Sequence, residues 1–232
     1  MSRWLPSIVV VAAGIAMLAH GPIPQLQNYH DFADSRTWLG IAHAGDVLSN
    51  IPFALVGLWA LAKRRSTLAW TVFDVALVLT ALGSSYYHLA PGDARLVWDR
   101  LPIALACAAL LVAVYGRTDA PRYTTLRLAA LCAFAIASVE WWRRTGDLRP
   151  YLLLQGAPLV LVPLWQWRAR VPSRERVLFA LAIAGYVIAK LFEAIDRATF
   201  ETLGVVSGHT LKHLFAAAGA YVIVVARNRD AA

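Results

Sequence analysis

Eight stretches of apolar residues, each close to the length of a membrane crossing, leave this chain little freedom in how it can fold. They are residues 4–20, 38–62, 67–89, 96–115, 124–142, 150–167, 176–196 and 207–226. A hydrocarbon core takes about 20 such residues per helix, and within one segment only a helix satisfies its own backbone there. The breaks between them are short and carry turn and charge signals: Lys63-Arg64-Arg65, Ala90-Pro91-Gly92-Asp93, Arg143-Arg144-Thr145-Gly146 and Val171-Pro172-Ser173. No soluble domain fits between them. Charged residues make up 16% of the chain, against about 25% in a typical soluble domain. The expectation is an all-α membrane protein built as a single helix bundle. Segment 4–20 follows Arg3 and precedes Gly21-Pro22-Ile23-Pro24, so it could be a signal peptide. Its end, Ala16-Met17-Leu18-Ala19-His20, is a poor small-x-small cleavage site, and a retained helix is the favoured reading. Residues 1–27 then form an N-terminal element and 28–232 the core.

Loop charge sets the orientation. Thirteen basic residues fall on one side of the predicted bundle: Arg3, Lys63, Arg64, Arg65, Arg117, Arg122, Arg127, Arg168, Arg170, Arg174, Arg176, Arg227 and Arg229. Seven fall on the other: Arg36, Arg95, Arg100, Arg143, Arg144, Arg149 and Arg197. The positive-inside rule makes the first side, with both termini, cytoplasmic. The net charge of +8 is spread over these loops with no basic stripe interleaved with aromatics, which argues against nucleic-acid binding. Trp4, Trp38, Trp98, Trp141, Trp142, Trp165 and Trp167 sit near segment ends, as interfacial belts do. Cys107 and Cys132 lie mid-segment and read as small core hydrophobes, without a disulfide framework.

Against this background five polar residues stand out. Ser84 and His88 form Ser-x-x-x-His at the end of one segment, Asp99 opens the next, and His209 and His213 form His-x-x-x-His at the start of the last. A spacing of four places each pair on one helix face, about 6 Å apart. With the topology drawn from charge alone, all five fall at one depth on the non-cytoplasmic side. Taken singly, each has an ordinary explanation: a hydrogen-bonded packing histidine, a serine bonded to its own helix carbonyl, an aspartate that caps its helix or pairs with Arg100. Their convergence from three helices favours a metal centre. Three imidazoles suit catalytic zinc and leave a position for water, whose pKa zinc brings near 7. Asp99 then suits proton transfer beside that water and Ser84 a hydrogen bond to a developing oxyanion. The chemistry so defined is metal-assisted hydrolysis of an amide or ester of a membrane lipid.

At these residues the chain resembles the alkaline ceramidase family, within a superfamily of seven-helix membrane hydrolases that includes the progestin/adiponectin-type receptors. The resemblance rests on Gly83-Ser84-Ser85-Tyr86-Tyr87-His88, on Trp98-Asp99-Arg100-Leu101-Pro102, on Gly208-His209-Thr210-Leu211-Lys212-His213 and on Val47-Leu48-Ser49-Asn50-Ile51-Pro52-Phe53. It covers about residues 28–226 and leaves 4–20 as an added N-terminal helix. It implies a seven-helix core, zinc on His88, His209 and His213, Ser84 and Asp99 beside the zinc-bound water, and cleavage of ceramide into sphingoid base and fatty acid. It also raises a calcium site, for which Asp31, Asp34 and Asp46 could supply oxygen ligands; here Tyr29-His30-Asp31-Phe32-Ala33-Asp34 and His43 depart from the family's acidic pattern. Glu140, Glu193 and Asp196 could line the substrate path or pair with Arg143, Arg144 and Arg197, with Lys190 and Lys212 snorkelling or neutralising those acids. Asp74 lies toward the cytoplasmic end of its helix, away from the site. The Ala-rich, Arg-over-Lys composition points to a bacterial inner-membrane protein with its site toward the periplasm. Two other classes compete: a receptor-like or scaffold protein with structural zinc, and a proton- or ion-coupled transporter, which calls for polar residues at both membrane depths.

Overall fold

A computed structural model describes residues 4–63, 67–118 and 124–228. Arg3, Arg64, Arg65, Arg122 and Arg229, used in the orientation argument, lie outside the described residues. Ten helices follow in order among the described residues: α1 Leu5–His20, α2 Ala44–Leu48, α3 Ile51–Leu61, α4 Leu68–Leu89, α5 Asp93–Thr118, α6 Thr124–Thr145, α7 Arg149–Arg168, α8 Ser173–Ala194, α9 Asp196–Leu203 and α10 Gly208–Asn228. Only two isolated bridges, Pro24 with Asp147 and Trp38 with Ile41, interrupt the helical pattern there.

Six spans are long and apolar enough to cross a membrane: Ala44–Leu61 (α2 and α3 together), Leu68–Leu89, Asp93–Gly116, Thr124–Thr145, Ser173–Ala194 and Gly208–Arg227. This is the pattern of a multi-pass membrane protein. The distribution of side-chain sizes agrees with it. Small residues fill the helix contacts, with Ala60, Ala69, Ala108, Ala109 and Ala135 at 0% exposure, while Leu55, Leu82, Leu126, Leu181 and Leu191 face outward. Lipid tails are as apolar as leucine, so burying large aliphatics inside brings little, whereas small residues let helix backbones approach. Helix α7 has 20 residues but is diluted by Gln155, Gln166 and prolines, and α1 is shorter than a crossing.

The boundaries differ from expectation in three places, each with a local cause. Segment 38–62 becomes helical only from Ala44 and breaks at Ser49-Asn50. Pro52 has no N–H to offer the carbonyl four residues back, and the Ser49 and Asn50 side chains donate to the Asp46 carbonyl instead, at 3.1 and 2.8 Å. Segment 176–196 ends earlier, and a short helix, α9, follows it after a break at Ile195. Helix α5 starts a turn early at Asp93, so Asp99 lies in its second turn rather than opening it.

The N-terminal element is docked on the bundle. Asp147, between α6 and α7, accepts from the Ile23 N–H (3.1 Å), from Trp141 Nε1 (3.1 Å) and from Arg149, while Arg149 Nη1 donates to the Met17 carbonyl at 3.3 Å. The Arg149 guanidinium holds the Asp147 carboxyl well below the usual carboxylate range. At the opposite end of the bundle Arg227 on α10 donates to buried Asp74 on α4 at 2.6 Å.

Candidate metal centre

Helices α4 and α10 bring His88, His209 and His213 together. One ring nitrogen from each lies within 4.8 Å of the others, the ring centroids are 4.8 to 5.1 Å apart, and all three side chains are buried. No other group of three or more His, Cys, Asp or Glu side chains among the described residues has such spacing. The donor set suits a metal ion, and two further observations support the fit. His88 Nδ1 is buried without a hydrogen-bond partner, the kind of orphan that calls for an explanation in a folded protein. The surroundings of His213 favour one tautomer. Its Nδ1 lies 2.8 Å from Ser49 Oγ, and Ser49 spends its single proton on the Asp46 carbonyl at 3.1 Å. In that arrangement Nδ1 carries the hydrogen, with Ser49 Oγ and the Asp46 carbonyl as acceptors, which leaves the Nε2 lone pair free for a ligand.

The start of α10 is built to hold its two histidines. Ser207 Oγ accepts the Thr210 N–H at 2.9 Å, and Asp196 Oδ1 accepts the His209 N–H at 2.7 Å. These satisfy donors that a helix N-terminus leaves open. Asp46 Oδ1 on α2 accepts from the Thr210 hydroxyl (2.8 Å) and the Ser207 hydroxyl (3.1 Å), tying α2 to α10. Asp196 Oδ2 also accepts the Ala33 N–H at 2.9 Å. That contact anchors the loop carrying Phe32, whose ring packs edge-on against His88 and His209 at 4.7 and 4.5 Å and roofs the centre.

Ser84 and Asp99 lie on facing helices, with the Ser84 hydroxyl interacting with the Asp99 carboxylate. Gly83 makes that approach possible. A Cβ there would lie 2.0 Å from the Trp98 carbonyl oxygen, and that carbonyl has no helix donor because Pro102 lacks an N–H. Gly208 does the same for α10, where a Cβ would lie 2.3 Å from the Phe192 carbonyl oxygen. Ser84, Asp99 and His213 line one end of a cavity of about 280 Å³ that continues between Phe73, Leu77, Leu110 and Val162.

Lys212 Nζ lies 3.4 Å from His209 Nε2, and the remaining charged residues pair chiefly with one another. Asp31 accepts from Arg197 at 3.2 Å, Asp34 from Arg36 at 2.7 Å, and Asp46 from α10 as described. The three carboxylates expected for calcium therefore do not gather into one ligand group. The Arg36 hydrogen bond holds the Asp34 carboxyl below its ordinary range. Glu140 pairs with Arg143 and Arg144 at 2.6 and 2.5 Å, and Asp196 is a helix cap rather than a partner of Arg197. Glu193 accepts from Lys212 at 2.6 Å and from Lys190. Ser49 lies in a stretch that carries the resemblance, but its contact with His213, the placement of Phe32 and the capping role of Asp196 had no sequence signal, because each depends on a contact between segments distant in the chain.

The fold and this centre define a class: a multi-pass helical membrane protein with a buried three-histidine group able to hold a metal ion. Compared with known proteins, the chain matches no family model, and no curated protein matches it.

Proposed function

We propose that this chain is a zinc-dependent membrane amide hydrolase of alkaline ceramidase type, cleaving ceramide or a ceramide-like lipid into sphingoid base and fatty acid. The observation that carries the reading is three buried imidazoles with ring nitrogens within 4.8 Å of one another, one of which, His213, lines an apolar cavity together with Ser84 and Asp99. Helix α7, 20 residues long and so about 30 Å, supplies the seventh crossing of the core, with α1 added to it. The positive-inside bias puts the centre on the periplasmic side of a bacterial inner membrane.

His88, His209 and His213 would hold zinc as neutral imidazoles, with Ser49 fixing the ring of His213. Zinc, when bound, supplies Lewis-acid polarisation of the amide carbonyl and an activated water. The remaining work falls to the protein's own groups. The Asp99 carboxylate accepts a proton from water and passes it to the leaving nitrogen. The Ser84 hydroxyl donates to the carbonyl oxygen as negative charge grows there. The apolar walls around Phe73, Leu77 and Leu110 take a lipid chain, and Phe32 keeps bulk water off the imidazoles.

Against the transporter reading, the Asp74–Arg227 pair at the other end of the bundle is closed on itself and does not line the cavity. The test is elemental analysis of purified protein reconstituted with zinc in detergent, with ceramide hydrolysis measured alongside. About one zinc per chain is expected, held by the three histidines and lost in His88→Ala and His213→Ala together with turnover. A folded wild-type protein that takes up no zinc would end the hydrolase reading.

A further inference from the structure

The cavity that reaches the histidine centre has an unusual electrostatic lining. Its charged residues are Asp99, Arg100, Lys190, Glu193 and Lys212, three cations to two carboxylates, before any metal ion adds its own charge. Lys190 and Lys212 share one acid, Glu193. Arg100 is only 3% exposed. Its guanidinium carbon lies 3.9 Å from the Trp142 ring centroid, 5.1 Å from that of Tyr29 and 5.4 Å from that of Tyr151, while Nε and Nη1 have no hydrogen-bond partner. The rings stabilise the cation through their faces but leave its edge donors unfilled. A guanidinium cannot shed its proton to escape burial, so an unpaired one inside a bilayer protein needs an anion. Asp99, the adjacent residue on the helix, acts on Arg100 only through space and is engaged with Ser84, leaving the guanidinium Nε and Nη1 without a hydrogen-bond acceptor.

We propose that Arg100 binds a carboxylate on the substrate, with Lys212 adding positive charge, and that among ceramide-like amides the site prefers an N-acyl amino acid type amphiphile, whose headgroup carries the carboxylate that ceramide lacks. The planar fork of Arg100 matches a carboxylate in two parallel hydrogen bonds. An anionic headgroup balances the surplus charge of the cavity, which a neutral one leaves uncompensated. The reaction is the same hydrolysis: water adds its oxygen to the acyl carbon, the C–N bond breaks, and the products are a fatty carboxylate and an ammonium-bearing amino acid. The inference rests on the hydrolase reading for its reaction and on Arg100 for its specificity.

Zinc-loaded full-length protein in detergent is assayed for lauric acid release from N-lauroylglycine, its neutral isostere N-lauroylglycinamide, and N-lauroylsphingosine. Binding of the first two to metal-free protein is followed separately by thermal shift. The expected kcat/KM for the acid exceeds that for the glycinamide by about tenfold or more, as a charge-assisted bidentate contact requires. Arg100→Gln should collapse that ratio toward unity, and Arg100→Lys, which keeps the charge without the fork, should restore part of it. Should either variant fail to fold, the comparison of the two substrates on wild-type protein decides alone. Equal cleavage of acid and glycinamide, or preference for N-lauroylsphingosine, overturns the inference and leaves the hydrolase standing. Equal cleavage together with competitive inhibition by lauric acid also overturns it, and assigns Arg100 to the product carboxylate. No cleavage of any of the three, with the metal-free protein still stabilised by the acid over the glycinamide, overturns the hydrolase reading and leaves a carboxylate-binding cavity.

Discussion

Ser49 offers the sharpest test of how the histidine centre is organised, because it touches His213 and lines no part of the cavity. Its oxygen sits between the Asp46 carbonyl at 3.1 Å and His213 Nδ1 at 2.8 Å, and the residue is 6% exposed, so bulk water cannot take its place. Ser49→Ala removes one acceptor of the buried Nδ1–H and leaves it the Asp46 carbonyl, a loss of about 0.5–1.5 kcal/mol. It also weakens the preference for the Nδ1–H tautomer over the other, which turns an N–H toward the ligand position. Outer partners of ligating histidines are worth about 10- to 100-fold in metal affinity, or about 1.4–2.8 kcal/mol. The assay is zinc competition against a chromophoric chelator on purified protein, with thermal unfolding as the control for fold. Ser49→Thr, which keeps the hydroxyl, should recover most of the affinity. An unchanged zinc Kd in a folded Ser49→Ala protein would refute the tautomer argument and, with it, the assignment of Nε2 of His213 as ligand.

Asp99→Ala should retain zinc while losing about 10²- to 10⁴-fold in turnover, the usual share of a general acid–base group; equal loss of zinc would make Asp99 structural. Gly83→Ala forces a methyl to within 2.0 Å of the Trp98 carbonyl, and should cost about 1–3 kcal/mol of stability by overpacking. It should also lower turnover by about 100-fold as Ser84 and Asp99 part, read from melting temperature and initial rates. Asp74→Ala strands buried Arg227 and should cost about 3–5 kcal/mol with zinc stoichiometry unchanged. The depressed Asp147 carboxyl predicts an acid-labile dock for the N-terminal element. Its stabilising contribution is fully present above the unfolded value of about 3.9 and is lost as pH falls through the lower folded-state value. Hydrogen exchange at the Ile23 amide should accelerate across that window, and Asp147→Asn should abolish the pH dependence.

Apolar length and polarity alone determined that this chain is a helical membrane protein, and they located α4, α6 and α10 to within a few residues. The physical reason is that a bilayer penalises every unpaired backbone group and every stray charge, so apolar length and the rare polar residues carry the pattern directly. The same penalty made Ser84, His88, Asp99, His209 and His213 conspicuous before any contact was known. What tertiary structure decided was how those residues are held and what surrounds them. Ser49 reaches His213 only because Pro52 breaks the first core helix, and Phe32 covers the imidazoles only because Asp196 caps α10 and ties down a loop 163 residues earlier in the chain. Arg100, which reads in sequence as a loop-side charge, is buried among three aromatic rings with its edge unfilled. Asp31, Asp34 and Asp46 look alike in sequence, yet packing sends two to arginines and one to the hydroxyls of α10. Such outcomes depend on distances between helices far apart in the chain, and no local spacing rule encodes those distances.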